Sequence, residues 1–108
     1  MDALDVLSRE SLYLAFNWRA LVVNDRTLSV RTRHIAMWLR DNLEHPKTNK
    51  NGDLVALNVG LIAHEMVEHQ HDVLQALLEL EDAGWLVIRG DVRFRPAYLL
   101  TVPEYAQL

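Results

Sequence analysis

The chain contains no cysteine, which excludes disulfides, cysteine nucleophiles and thiolate metal sites together. No apolar run approaches the roughly 18 to 20 residues that span a bilayer. The first residues lack the positive and apolar segments of a signal peptide, so we expect a cytoplasmic protein with no membrane partner. No Gly-rich phosphate loop or paired nucleophile and base is visible either. We therefore expect no enzyme activity, no catalytic residue and no cofactor.

Basic residues are missing from one long stretch of the chain. Residues 51–88 contain no lysine or arginine and seven carboxylates, a net charge of −7. Residues 1–50 carry +2 and residues 89–108 carry +1, which gives the whole chain its formal charge of −4. The negative charge is therefore concentrated in one segment, and any polyanion that binds this protein must be held by cations outside it.

What is present is a moderately hydrophobic chain of 108 residues, half of them apolar. This length and composition predict a single domain, 1–108, with one core. A first helix is predicted at about 8–24, with apolar residues on more than one face. A small domain has few layers with which to bury such a helix on all sides. We therefore expect residues 1–26 to form an additional N-terminal element that holds two copies together as a homodimer.

Helix caps and breakers divide the rest of the chain. Ser29 is expected to cap a helix that ends at about Asn42, and Asn58 to cap a second helix over about 59–67. Between them, a polar loop over 44–53 leads to a short predicted strand over 54–57.

After Glu68 and His69, predicted to form a turn, apolar residues at helical spacing predict a helix over about 70–83. Gly84 can end this helix because glycine readily adopts a positive φ. Two strands follow, over about 85–88 and 98–102, with a loop over 89–97 between them.

This order of elements resembles the winged helix-turn-helix proteins found among bacterial, phage and plasmid regulators and replication initiators. The fold class implied is α+β, mostly α: a winged helix-turn-helix over about 29–103 with a β-hairpin wing and an extra N-terminal helix. The residues that carry the resemblance are Ile62, Ala63, Val73, Ala76, Leu77, Leu80, Glu81, Ala83, Gly84, Trp85 and the strand from Leu99 to Val102.

The resemblance implies binding to double-stranded DNA, as a transcription regulator or a replication accessory factor. In such proteins the second helix of the motif enters the major groove, and the wing contacts the backbone or the minor groove. The implied base-contacting residues are His69, Gln70, His71 and Gln75. The implied phosphate contacts are Arg89, Arg93 and Arg95.

The chain also departs from the family. Relatives usually have arginine, lysine, serine or threonine where this chain has Glu68, His69, His71 and Asp72. The wing arginines, with edge residues such as Arg31, Arg33, Lys47 and Lys50, could offset the carboxylates. Alternatively, Glu68 or Asp72 could accept a hydrogen bond from cytosine N4. A third interpretation is an interaction module whose acidic helix docks a protein partner without touching DNA.

Two further patterns have weaker implications. His64, Glu68, His69 and His71 suggest a metal- or pH-responsive sensor, but the string HEMVE lacks the second histidine of the HExxH zinc pattern. We therefore predict no metal site. Trp18, Trp38 and Trp85 lie in apolar patterns and are expected to pack in the core or at an interface.

Overall fold

The computed structural model of the chain describes residues 17–106, which form a mostly helical α+β domain. Helix α1 covers 17–23 of the described residues. The remaining elements are, in chain order, α2 (Val30–Glu44), α3 (Val59–Met66), α4 (Gln70–Asp82), β1 (Leu86–Arg89), β2 (Ala97–Leu100) and a 3₁₀ turn (Glu104–Ala106). In the described part of the chain, no helix combines the length and the apolar character needed to cross a bilayer.

The helix ends follow the predicted caps. Ser29 precedes α2, and its Oγ accepts a hydrogen bond from the Thr32 backbone N–H at 3.1 Å. Asn58 precedes α3, and its Oδ1 accepts from the Leu61 backbone N–H at 2.8 Å. Both side chains satisfy N–H groups that the first turn of a helix leaves without a partner. Gly84 has a φ of 90° just after α4, as predicted.

The core joins all four helices to the hairpin. Trp18 of α1 and Trp85, which precedes β1, meet edge to face, with ring centroids 6.2 Å apart and planes at 86°. Trp18 Nε1 donates to the carbonyls of Trp85 and Thr101, at 2.9 and 2.8 Å. The expected burial of Trp18 and Trp85 is confirmed, while Trp38 is half-buried. Helix α1 is thus part of the same core as the rest of the described chain. Val22, Ile35, Leu39, Ile62, Val73, Leu77, Leu80 and Leu86 are also fully buried in this core.

β1 and β2 form an antiparallel hairpin with Leu86 opposite Leu100 and Arg89 opposite Ala97. Alternate residues face the core, so Ile88 and Tyr98 pack inward while Arg89 and Leu99 face outward. The Tyr98 hydroxyl donates to the Leu57 carbonyl at 2.7 Å, and burial raises its pKa. This bond ties the hairpin to the segment that precedes α3.

The predicted strand over 54–57 does not form. Only Leu54 makes a β-bridge, with Thr48, and the Val55 N–H donates to the Lys47 carbonyl instead of to a neighbouring strand. The segment therefore bonds to the loop that precedes it, and its hydrogen bond to β2 is made by the Tyr98 hydroxyl. The first strand begins one residue later than predicted, at Leu86, and the second begins one residue earlier, at Ala97, and ends at Leu100. The part of the predicted first helix before residue 17 lies outside the described residues.

Candidate nucleic-acid interface

The start of α4 presents the four side chains that were predicted to contact bases. His69 is the N-cap residue, and its side chain makes no capping hydrogen bond. His69, Gln70, His71 and Gln75 are all exposed. Packing fixes the helix that carries them, because the opposite face of α4 is buried in the core. The buried residues of that face are Val73, Ala76, Leu77 and Leu80. The uncapped first turn favours an anion by the direction of the helix dipole.

The loop over 90–96, which we call the wing, is fixed to the start of α3. The Val59 backbone N–H donates to the Val92 carbonyl at 2.8 Å, and Asn58 Nδ2 donates to the Phe94 carbonyl at 3.1 Å. Gly90 has a φ of 81°, and a β-carbon there would lie 3.1 Å from the Arg95 carbonyl oxygen. A residue other than glycine would strain this turn, so the sequence of the loop favours one conformation.

Asn58 and Gly60 connect the wing to the start of α4. A β-carbon on Gly60 would lie 3.4 Å from Asn58 Oδ1 and 3.7 Å from Gln70 Nε2. The Gln70 amide therefore lies over the first turn of α3, next to the residue that holds Phe94. The wing and the first turn of α4 consequently share one side of the molecule, and both flank the start of α3.

The three arginines predicted to contact phosphates, Arg89 at the end of β1 and Arg93 and Arg95 in the wing, differ in their surroundings. Arg93 donates from Nε and Nη2 to the two carboxylate oxygens of Asp91, each at 3.2 Å. These bonds lower the pKa of Asp91 and raise that of Arg93. Arg89 and Arg95 are exposed, and neither has an ion-pair partner within residues 17–106. The wing and the adjoining end of β1 thus offer two cations without a carboxylate partner in the described residues, and a third that Asp91 orients.

Five of the seven carboxylates in 51–88 are engaged by groups of this same chain. Arg31 on α2 reaches Glu68 at 3.3 Å and Asp72 at 3.7 Å, and Lys47 reaches Glu65 at 3.3 Å. Arg31 therefore places positive charge beside the start of α4, where the sequence alone shows only carboxylates. The charge around this turn is less negative than the count along the chain indicates.

The other two engaged carboxylates are structural acceptors. Glu79 accepts from the Ser29 backbone N–H at 3.1 Å and from the Thr32 hydroxyl at 2.7 Å, which joins α4 to the start of α2. Glu81 accepts from the Ile88 backbone N–H at 2.7 Å, at the edge of β1. Both carboxylates therefore accept hydrogen bonds that stabilise the fold, and they are less available to bind a basic partner.

Phe94, and the hydrogen bond from Asn58 to the wing, are features of this side that sequence reasoning missed. Phe94 stands between Arg93 and Arg95, and 68% of its surface is exposed. An aromatic residue between two arginines in a predicted turn was the available signal. The link from Asn58 to the wing joins residues 36 positions apart, and no local pattern encodes it. Arg33, considered as an edge cation, instead donates from Nη1 to the Val23 carbonyl at 3.2 Å.

The histidine-rich stretch does not form a cluster of metal-ligating groups. Across residues 17–106, no three histidine, aspartate or glutamate side chains lie close enough together to hold a metal ion. His64, His69 and His71 are exposed and dispersed over the end of α3 and the beginning of α4.

Comparison with protein-family models, with curated proteins and with solved structures gives no match for this chain. The features that bear on its function are therefore its own: the uncapped start of α4, the anchored wing and the pairing of its carboxylates.

Proposed function

We propose that this chain is a winged helix-turn-helix protein that binds duplex DNA, with α4 in the major groove and the wing on the adjacent backbone. The observation that carries the proposal is the link through Asn58 and Gly60, which puts the wing beside Gln70. The order of α2, α3, α4, β1 and β2 agrees with that of a winged helix. A transcription regulator and a replication accessory factor both fit this binding mode.

Each group has a distinct role in this mode. Gln70 and Gln75 can pair bidentately with adenine, whose N6 donates and whose N7 accepts. His69 and His71 can donate to guanine acceptors or to phosphate oxygens. Arg89 and Arg95 bind phosphates, and the Nη1 of Arg93 can do the same while Asp91 holds the other two nitrogens.

The carboxylates near α4 oppose phosphate less than their number implies. Arg31 lies between Glu68 and Asp72, and its single positive charge offsets one of these two negative charges near the first turn. Exposed pairs of this kind add little to stability, but they do change the local potential that a polyanion encounters. The partial compensation by Arg31 supports the proposal that DNA binds at a helix whose sequence has no basic residue.

Salt titration of duplex binding tests this proposal. Each phosphate contact contributes about 0.9 to the slope of log K against log salt. We expect the R93A/R95A variant to bind more weakly and to lower the slope by about 2 relative to the wild type. Fluorescence anisotropy with labelled duplexes at several salt concentrations measures both quantities.

Arg26 supplies the matched control for this titration. It is exposed in the loop before α2, and within the described residues it has no ion pair. Its neighbour Asp25 contacts Trp85, at the end of the hairpin away from the wing. R26A should leave the slope unchanged. Equal slopes for the wild type and R93A/R95A would show that the wing arginines do not contact phosphates.

The alternative function is docking of a basic protein partner on α4. The observation that favours it is exposed Leu78, which lines a shallow depression together with Gln75, Glu79, Glu81 and Asp82. Because Glu79 and Glu81 already serve as structural acceptors, this surface is a weaker candidate than the wing side. A stoichiometric protein partner recovered without any retention on DNA would favour docking.

A homodimer held by the N-terminal helix is part of the same proposal. In the described portion of α1, Trp18 and Val22 are buried within one chain, so pairing must use the residues before 17 or the exposed side. Two copies would double the cations available to a duplex. Light scattering at micromolar concentration should give twice the monomer mass, and a monomer would contradict this.

A further inference from the structure

The side chain of Phe94 is exposed on a backbone that is held in place. Its N–H donates to the Asp91 carbonyl at 3.0 Å, and its carbonyl accepts from Asn58 Nδ2 at 3.1 Å. The neighbouring Val92 carbonyl is bound by the Val59 N–H at 2.8 Å. The ring itself remains 68% exposed and is not part of the core cluster. The fold therefore fixes the backbone that carries this ring without using the ring to bury apolar surface.

The chemistry on either side of the ring indicates what it meets. Arg93 and Arg95 are its neighbours in the sequence, and Asp91 orients Arg93. Two guanidinium groups suit phosphates, whereas a phenyl ring neither donates nor accepts a conventional hydrogen bond. A ring between two phosphate-binding groups suits the apolar parts of the same polymer, which are the sugar faces and the base edges.

We propose that Phe94 is the apolar contact of the wing with duplex DNA, packed on the deoxyribose walls and base edges of the minor groove. Arg93 and Arg95 then hold the phosphates on both sides of it. This inference rests on the proposed function and adds a residue that no charge pattern could indicate. Apolar side chains are a recurrent means of contact for proteins that enter this groove, where they pack against or between base steps.

The fixed backbone explains how a single ring can contribute to affinity. A flexible loop loses conformational entropy when it binds, and that cost offsets the contacts it makes. The bonds from Asn58 and Val59 have already ordered this loop in the free protein. The contact surface of Phe94 therefore adds to affinity with little further ordering of the wing.

Two substitutions at Phe94 separate the ring contact from charge. F94A should weaken binding to an A·T-rich duplex about 5- to 30-fold at every salt concentration, because contact surface is lost. The slope of log K against log salt should not change, since no phosphate contact is removed. F94L should restore most of the affinity. R95A serves as the contrast, because it should lower the slope by about 1.

A small molecule that occupies the minor groove tests whether Phe94 contacts DNA there. Netropsin bound to the duplex should weaken wild-type binding and leave the remaining affinity of F94A almost unchanged. Wild-type binding that is indifferent to netropsin would place the ring elsewhere and overturn the inference. Because the ring is exposed, thermal unfolding of F94A should match the wild type, which shows that any loss of affinity is local.

The outcomes distinguish this inference from the function on which it rests. A wild-type protein that shows no salt-dependent binding to duplex DNA would overturn the proposed function. Wild-type binding with the same affinity in F94A would overturn only the role of Phe94, and would be the result if the ring served a protein contact. A parallel loss in F94A and R95A, with only R95A changing the slope, supports both.

Discussion

At the scale of single residues, Asp25 is the most heavily bonded carboxylate in the described chain. It is buried, and it accepts from Trp85 Nε1 at 2.8 Å, from the Tyr105 hydroxyl at 2.6 Å and from the hydroxyl and N–H of Thr27 at 2.6 and 3.0 Å. Burial alone raises the pKa of this group, but the hydrogen bonds outweigh burial and lower it from 3.8 to about 2. One carboxylate thus joins the loop before α2, the start of the hairpin and the C-terminal turn.

The lowered pKa of Asp25 predicts acid sensitivity. Its stabilising effect is complete above the unfolded pKa of 3.8 and is lost as pH falls from about 4 to about 2, because the unfolded chain binds the proton first. The loss should be on the order of 2 kcal/mol. D25N should be less stable at pH 7, and its free energy of unfolding should lose this part of its pH dependence. Urea unfolding from pH 7 to pH 2.5 measures this, with exposed D53N as the control. An unchanged pH profile in D25N would contradict it.

Val67 is a strained residue in the turn between α3 and α4. Its φ of 55° and ψ of 50° are left-handed, and 91% of its surface is exposed. A β-branched side chain is disfavoured in this conformation, and here it gains almost no burial in return. V67G should therefore raise the free energy of unfolding by about 1 kcal/mol, net of the greater freedom of glycine in the unfolded chain. V67A should gain less. Chemical denaturation gives both values, and a less stable V67G would show that the turn is not strained.

At the scale of elements, local chemistry was readable from the sequence and tertiary pairing was not. The caps at Ser29 and Asn58 and the glycine after α4 were predictable because each acts on atoms within three or four residues. The strand expected over 54–57 failed because a ladder needs a partner strand at the right register. In this fold the Val55 N–H donates to the Lys47 carbonyl, and the Leu57 carbonyl accepts from the Tyr98 hydroxyl.

In the candidate interface, too, local features were predictable from the sequence and long-range pairings were not. Helical spacing was sufficient to put Gln70 and Gln75 on the outer side of α4. The pairing of Arg31 with Glu68 joins positions 37 apart, so a count of charge along the chain missed it. Phe94 escaped notice for a related reason. Its place between two arginines was a local signal, but its position relative to α3 depends on the bonds from Asn58 and Val59, which lie more than 30 positions away.

The link between α3 and the wing yields a prediction for these elements. N58S should keep the helix cap, since serine caps as well as asparagine, but it removes the amide that donates to Phe94. We expect stability within about 0.5 kcal/mol of the wild type, faster hydrogen exchange at the Val59 amide, and roughly fivefold weaker DNA binding from a less ordered wing. S29N, the opposite exchange at the α2 cap, should leave affinity unchanged. Unaltered exchange at Val59 in N58S would contradict the link.

At the scale of the whole molecule, the Trp18–Trp85 pair with Asp25 and the proposed DNA-binding residues lie at opposite ends of the hairpin. The Trp18–Trp85 pair and Asp25 lie at one end of the hairpin, where α1, the C-terminal turn and β1 meet. The wing lies at the other end, against α3 and beside the start of α4. Substitutions at the first end should therefore act on stability, whereas substitutions at the second should act on binding.

The measurement that tests this account most directly is an NMR titration of the ¹⁵N-labelled chain with a short duplex. We predict that the amide shifts of Gln70, His71 and Gln75 and of the wing over 90–96 move together, while those of Arg26 and Tyr105 do not. This result would show that one side of the molecule, built from the wing and the start of α4, receives the DNA. Shifts confined to the end of α4 near Leu78, or no shifts at low salt, would contradict it.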